Sequence, residues 1–348
     1  MTFMLALALA HPVLAADKDG DKKADKAGEN AADKKAEIPP VTVTALVFAH
    51  YGLDLGWNAK TSTTPENSFD LDRAYLGAQS QMTEHLAAKV LFDANHLDDV
   101  SADSRFRVFV KNAWLEASNG KPVKARFGVV DTGYVPFEEN FMGGRYEMKM
   151  FADDEKVLST ADIGLNFQGE ASGGLLSYHA AILNGEGYSK PEVDAGKTLS
   201  GRLSVNPLSK SDKMALPITG FVSYAVPAKG AASVTDVVGA LGLKVPHLYA
   251  WAEYVESMHG AIAGVKGVNS GGFSVQLSPR MPKYGGLLLR VDRFDPDQAT
   301  DKDAAMKIFA GVNHDFLPKV SASLSYERTQ PEVGDASHGI YARMQAGF

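Results

Sequence analysis

From Val41 onward the apolar residues of this chain recur at every second position, and that period restricts the fold more than any other feature. Val41, Val43, Ala45, Val47, Ala49, Tyr51, Leu53, Leu55 and Trp57 are all apolar, while Thr42, Thr44, His50, Gly52, Asp54 and Gly56 lie among the positions between them. A helix of 3.6 residues per turn would mix the two sets, whereas a strand with one apolar face separates them. The stretch exceeds the usual soluble strand and fits a tilted membrane span with overhang. The same face returns at Leu86, Ala88, Val90, Phe92, at Val123, Ala125, Phe127, Val129 and at Ala161, Ile163, Leu165, Phe167. Leu216, Ile218, Gly220, Val222, Tyr224 continue it, then Leu248, Ala250, Ala252, Tyr254, then Leu287, Leu289, Val291 and Val320, Ala322, Leu324, Tyr326. Small and polar residues fill the alternate positions, as expected of a wall whose second face meets water in a lumen.

The connections alternate in length. Short ones fall at Thr83–Glu84, Ser118–Lys121, Ser172–Gly173, Pro246–His247 and Leu317–Pro318, long ones at 58–67, 97–103, 131–156, 184–196, 257–264 and 295–303. Tight turns at one end and longer loops at the other define an up-and-down barrel, with about sixteen strands and both termini on the tight-turn side. The chain stops on Ile340, Ala342, Met344, Ala346 and Phe348, an apolar face ending in an aromatic. Trp57, Phe127, Phe167, Tyr254 and Tyr326 are candidates for interfacial girdles. The predicted fold is all-β: a transmembrane antiparallel β-barrel of about 16 strands over residues 41–348.

Composition removes several function classes. Away from the N-terminus no run of about 18 apolar residues occurs, which excludes a helical span. A net charge of -7 and a pI near 5.7 argue against a nucleic-acid partner. The absence of cysteine rules out disulfides, thiolate nucleophiles and cysteine-ligated metals. Residues 1–15, MTFMLALALAHPVLA, read as a signal peptide cleaved near Ala15, so export is expected. Residues 16–40 form a charged low-complexity tether, expected in the periplasm. Up to Glu37 it has no apolar side chain larger than Ala and so cannot offset its ordering entropy.

No catalytic constellation emerges. Ser177 and His179 are one strand step apart, about 7 Å, too far for a direct nucleophile–base contact. The histidines show no metal-ligand spacing, and the Gly-rich run at 264–272 leads into a strand instead of a helix. No catalytic residue, metal or cofactor is expected.

Several stretches resemble the phosphate-selective porin O/P family. They are FDLDRAYLGAQ (Phe69–Gln79), VKNAWLEA (Val110–Ala117), VKARFGVVDTGYVPFEE (Val123–Glu139), ADIGLNFQG (Ala161–Gly169), AILNGEGYS (Ala181–Ser189) and GRLSVNPL (Gly201–Leu208). LLLRVDRFDPD (Leu287–Asp297), FAGVNHDF (Phe309–Phe316) and the terminal Phe348 complete the series. The resemblance implies a homotrimeric channel whose long third outer loop, here Asp131–Lys156, folds into the pore. It also implies that Phe348 is the membrane-assembly signal.

With the loop in the pore, its charges meet those of the wall. The expected constriction is Glu138, Glu139 and Arg145 facing Arg73, Lys124 and Arg126. Further lumen charges are expected at Lys89, Asp93, Glu116, Asp162, Arg202, Glu253, Arg290, Asp292, Glu327 and Arg343. Their signs are mixed, whereas a phosphate pore needs a one-sided ladder of cations, so phosphate is not carried over as the solute. Inward charges of this kind also brace barrel walls by pairing with one another.

The leading expectation is a non-enzymatic porin of the bacterial outer membrane: a passive diffusion channel for small hydrophilic solutes or inorganic ions, in contact with outer-membrane lipid. A plugged-lumen barrel acting as an enzyme or adhesion/receptor protein is the alternative. A soluble secreted β-protein is a third reading, disfavoured by the outward apolar bands.

Overall fold

The computed structural model describes residues 39–56, 66–96, 106–119, 123–228, 230–262, 264–281 and 285–348. The expected signal peptide, the tether up to residue 38, and Trp57 lie outside them. Sixteen strands follow in chain order: β1 (Val41–Asp54), β2 (Asn67–Gln81), β3 (Leu86–His96), β4 (Phe106–Ser118), β5 (Lys124–Asp131), β6 (Ala161–Ala171), β7 (Leu176–Leu183) and β8 (Lys197–Val205). They continue with β9 (Ile218–Val226), β10 (Val234–Val245), β11 (Leu248–His259), β12 (Asn269–Met281), β13 (Gly285–Asp295), β14 (Ala305–Leu317), β15 (Val320–Pro331) and β16 (Ser337–Gly347). Two short helices, α1 (Val135–Met142) and α2 (Phe151–Asp154), lie in the β5–β6 connection.

Each strand pairs antiparallel with its chain neighbours, and β1 closes the ring on β16, with Leu46 opposite Gly347 and Asp54 opposite Gly339. Closure removes the sheet edges, so the ladder can satisfy its backbone groups without water, the condition for standing in lipid. The side chains are distributed inside out relative to a soluble domain. Val108, Leu115, Phe127, Leu203, Val222 and Leu324 are exposed, while Asp93, Asn112, Glu116, Asn166, Asp292 and Gln276 are buried. The lipid-facing and lumen-facing sets follow the predicted alternation.

Two features depart from the sequence reading. In β4 the alternation slips, leaving Lys111 and Asn112 both buried, beside a register shift against β3 at Leu91/Phe92. A bulge puts consecutive residues on one face, which a strict period of two does not anticipate. The β8–β9 connection, residues 206–217, is long although it lies on the tight-turn side. Asn206 organises it: its Oδ1 accepts from the backbone N–H of Leu208 (3.3 Å) and of Leu216 (2.8 Å). Pro207 and Pro217 cannot donate to a ladder, so regular pairing stops here, and an isolated bridge from Ala215 to Lys244 of β10, through backbone bonds of 2.9 and 2.8 Å, ties the stretch to the sheet.

The β5–β6 connection, residues 132–160, is the third on the long-loop side and is termed L3. It folds into the barrel. Tyr134, Val135, Met142, Met150, Phe151 and Ala152 pack against Phe221, Val238, Ala240, Trp251 and Val255 of β9, β10 and β11. Gly242 leaves room for this contact, because a Cβ there would stand 2.8 Å from the Trp251 ring. Farther along, Tyr146 reaches the opposite wall and joins Phe48 of β1 and Tyr75 of β2, its ring centroid 6.4 Å from that of Phe48.

Candidate pore constriction

L3 is fixed to the wall by polar contacts as well as rings. Arg290 of β13 donates from Nε to Asp292 at 2.8 Å, with its Nη2 2.7 Å from the other carboxylate oxygen, and donates from Nη1 to the carbonyl of Lys149 at 2.6 Å. Both side chains of that pair are 1 % exposed. Lys307 of β14 holds Asp154 (2.7 Å) and Glu155 (2.6 Å), and Asn313 donates to Glu147 at 2.7 Å. Tyr134 donates to Glu253 of β11 at 2.7 Å.

Glu138 sits in this seam between L3 and β11, only 2 % exposed, instead of at the opening. Burial first, then the negative charge of Glu253, pushes its carboxyl well above the usual carboxylate range, and Arg290 offsets only part of this. A carboxyl raised in the folded state binds its proton more tightly there. Its stabilisation is therefore fully present below the unfolded pKa and is lost as pH rises through the folded value. The urea midpoint of the folded barrel is expected to fall from mildly acidic to mildly alkaline pH, and Glu138→Gln to flatten that fall. Superimposable pH profiles would mean that Glu138 does not hold the proton.

The other residues expected at the constriction occupy both sides of the lumen. On L3, Arg145 bonds Glu139 at 2.7 Å and Asp153 at 3.3 Å. On the facing wall, Arg73 of β2 pairs with Asp93 of β3 at 2.6 Å. Arg126 of β5 bonds Glu116 (2.8 Å) and Asp131 (3.4 Å), while Lys124 is 3.6 Å from Glu116 and half exposed. Lys89, half-buried, lies on β3 opposite Trp114. Glu327 and Arg343 pair on β15 and β16. Asp162 caps a loop, accepting from the backbone of Ile163 and Gly185, both at 2.7 Å. Most expected lumen charges are thus engaged with one another or with backbone, and L3 and the wall each carry both signs.

Two contributors escaped the sequence reading. Lys111, buried by the β4 slip, lies 5.1 Å from the Tyr75 ring centroid and 5.8 Å from that of Tyr188. Tyr188, from the β7–β8 loop, reaches β3 to donate to Asp93 at 2.8 Å and accepts from Arg73 at 3.3 Å. Consecutive Lys111 and Asn112 were the available signal for the first. A contact spanning 95 positions has no local signal for the second.

Ser177 accepts from Arg202 at 3.0 Å, and among the described residues no hydrogen bond joins it to His179. The His179 ring lies beneath Gly133 of L3, whose Cβ would be 2.8 Å from Nδ1. Above L3, on the long-loop side, a chamber of about 540 Å³ is lined by Arg73, Arg145, Glu147, Lys149, Asp154 and Lys307. Below it, near the tight turns, a second chamber of about 700 Å³ is lined by Lys124, Phe137, Gln168, Ser177 and Arg202.

A closed sixteen-stranded antiparallel barrel with a long loop folded into a polar lumen is the architecture of outer-membrane porins. Solved structures with this fold include the anion-selective porin from Comamonas acidovorans, with a TM-score of 0.63 and 11% identity over 89% of this chain and 99% of that one. Salmonella typhi OmpF, in complex with daunomycin, matches with a TM-score of 0.64 and 10% identity over 89% and 98%. The outer membrane channel DcaP of Acinetobacter baumannii matches at 0.61 and 11% over 88% and 97%. No family model matches the chain, and no curated protein matches it in sequence. The likeness is one of fold.

Proposed function

We propose that this protein is a passive diffusion channel of the bacterial outer membrane for small hydrophilic solutes or ions, without enzymatic chemistry. The observation that carries the reading is L3, fixed to β9–β11 on one side and touching β1–β2 on the other, with polar chambers above and below it. A solute passing between them meets Glu139, Arg145 and Asp153 on the loop and Arg73 and Arg126 on the wall, whose carboxylate partners Asp93 and Glu116 are buried. Selectivity then comes from mixed charges held rigid by their own pairing. The resemblance of the ordered motifs to the phosphate-selective porin O/P family supports a homotrimer and the long third loop, but the mixed signs do not favour phosphate. Export through residues 1–15 and recognition of Phe348 for assembly belong to the same reading. Phe348 is 72% exposed, and its backbone bonds Ala45 beside the closing β1–β16 seam.

Planar-bilayer recording under a salt gradient tests it. Conductance steps in groups of three are expected, with the reversal potential giving the sign of ion preference. Folded, heat-modifiable protein that passes no current would overturn the channel. It would favour the plugged-lumen receptor or enzyme, a reading to which the Tyr146 bridge to Phe48 and Tyr75 lends support.

A further inference from the structure

Arg202 of β8 is buried, 9% exposed, yet among the described residues it has no ion-pair partner. Arg73, Arg126, Arg145, Arg290 and Arg343 each hold a carboxylate; Arg202 donates from Nη1 to the neutral Ser177 hydroxyl at 3.0 Å and stacks 3.9 Å from the Phe137 ring centroid. Its Nε is buried without a partner. Removing a guanidinium from water is costly unless its donors are paired, and the planar fork of N–H groups matches the two oxygens of a carboxylate.

The surroundings supply the rest of a site. Arg202 opens onto the 700 Å³ chamber on the tight-turn side of L3. Lys124, Gln168, His179 and Arg202 are direct partners across β5, β6, β7 and β8, so they form one row around the lumen wall. At the other end of that row Lys124 adds a cation that stays 49% exposed although it lies 3.6 Å from Glu116, a carboxylate it shares with Arg126. Phe137 of α1 contributes apolar surface, and Glu170, exposed on the rim, is the one acid lining the chamber among the described residues.

We propose that this chamber is a binding station for small organic carboxylates, which bind Arg202 through the carboxylate while Lys124 supplies the second positive charge. It lies beyond the constriction, so a solute would reach it after passing L3. The inference rests on the lumen being open to water and names the class of solute that it holds.

Calorimetric titration of the full-length, detergent-folded barrel tests the station without requiring conduction. Benzoate serves as the probe, and benzamide as its neutral isostere. Wild-type protein is expected to bind benzoate saturably and benzamide at least about tenfold more weakly. Arg202→Gln, checked for folding by heat-modifiable mobility, is expected to weaken benzoate by at least about tenfold, with Arg202→Lys falling between. Equal binding of benzoate and benzamide by the wild type, no saturable benzoate binding, or an unchanged Arg202→Gln would each overturn the station. The benzamide comparison decides the matter even if the variant does not fold. A barrel that binds benzoate but passes no current would overturn the channel alone, and one that conducts without binding would overturn the station alone.

Discussion

Replacing Arg290 with Met is expected to destabilise the folded barrel by about 3–5 kcal/mol, because it leaves the Asp292 carboxylate buried without its counter-charge. The same substitution removes the bond from Nη1 to the Lys149 carbonyl and the contact with Met148, both of which hold L3 to the wall. Two readouts should therefore move together. The urea midpoint of vesicle-folded protein should drop, and single-channel records should become noisier as L3 loosens. The double variant Arg290→Met, Asp292→Leu is expected to recover most of the stability, since it removes both charges, but not the quiet current, since the loop contacts stay lost. Full recovery of both would show that the pair braces only the wall.

Trp251→Ala has the second large effect. Trp251 is 1% exposed, and its ring lies 6.5 Å from Tyr134, 6.1 Å from Phe137 and 5.3 Å from Phe141, all on L3. Truncating a buried Trp typically costs about 3–5 kcal/mol in transfer and cavity terms. Here the cavity opens under the loop that folds into the lumen. The barrel is expected to fold, since its ladder does not pass through this contact, but with larger and less steady conductance. A stable variant with wild-type conductance would show that L3 is held by its polar contacts alone.

The fold was largely legible from the chain. Ile218, Val222 and Tyr224 on one face of β9, with Thr219, Phe221 and Ser223 on the other, obey a period that survives without knowledge of any partner strand. Closure then follows, because apolar outward faces and unpaired edges cannot both be left in lipid. The candidate site was legible only in part. Arg73, Arg126 and Arg145 could be placed on inward faces or in the third loop, but not their partners. The period says that a residue faces inward, not which inward residue stands across from it. Glu138 shows the limit: its place in L3 was readable, while its burial against Glu253 depends on a contact between residues 115 positions apart, 253 minus 138.

The alternation beginning at Val41 and the alternating connections therefore determined a closed barrel, its approximate strand number and the two faces of its wall. They did so because strand geometry and the lipid boundary act on residues one and two positions apart. The tertiary structure alone decided that L3 spans the lumen from Trp251 to Phe48, that Tyr188 reaches Asp93, and that Arg202 has no ion-pair partner among the described residues. Those outcomes depend on how a loop packs inside a closed ring, where distance in the chain does not govern distance in space.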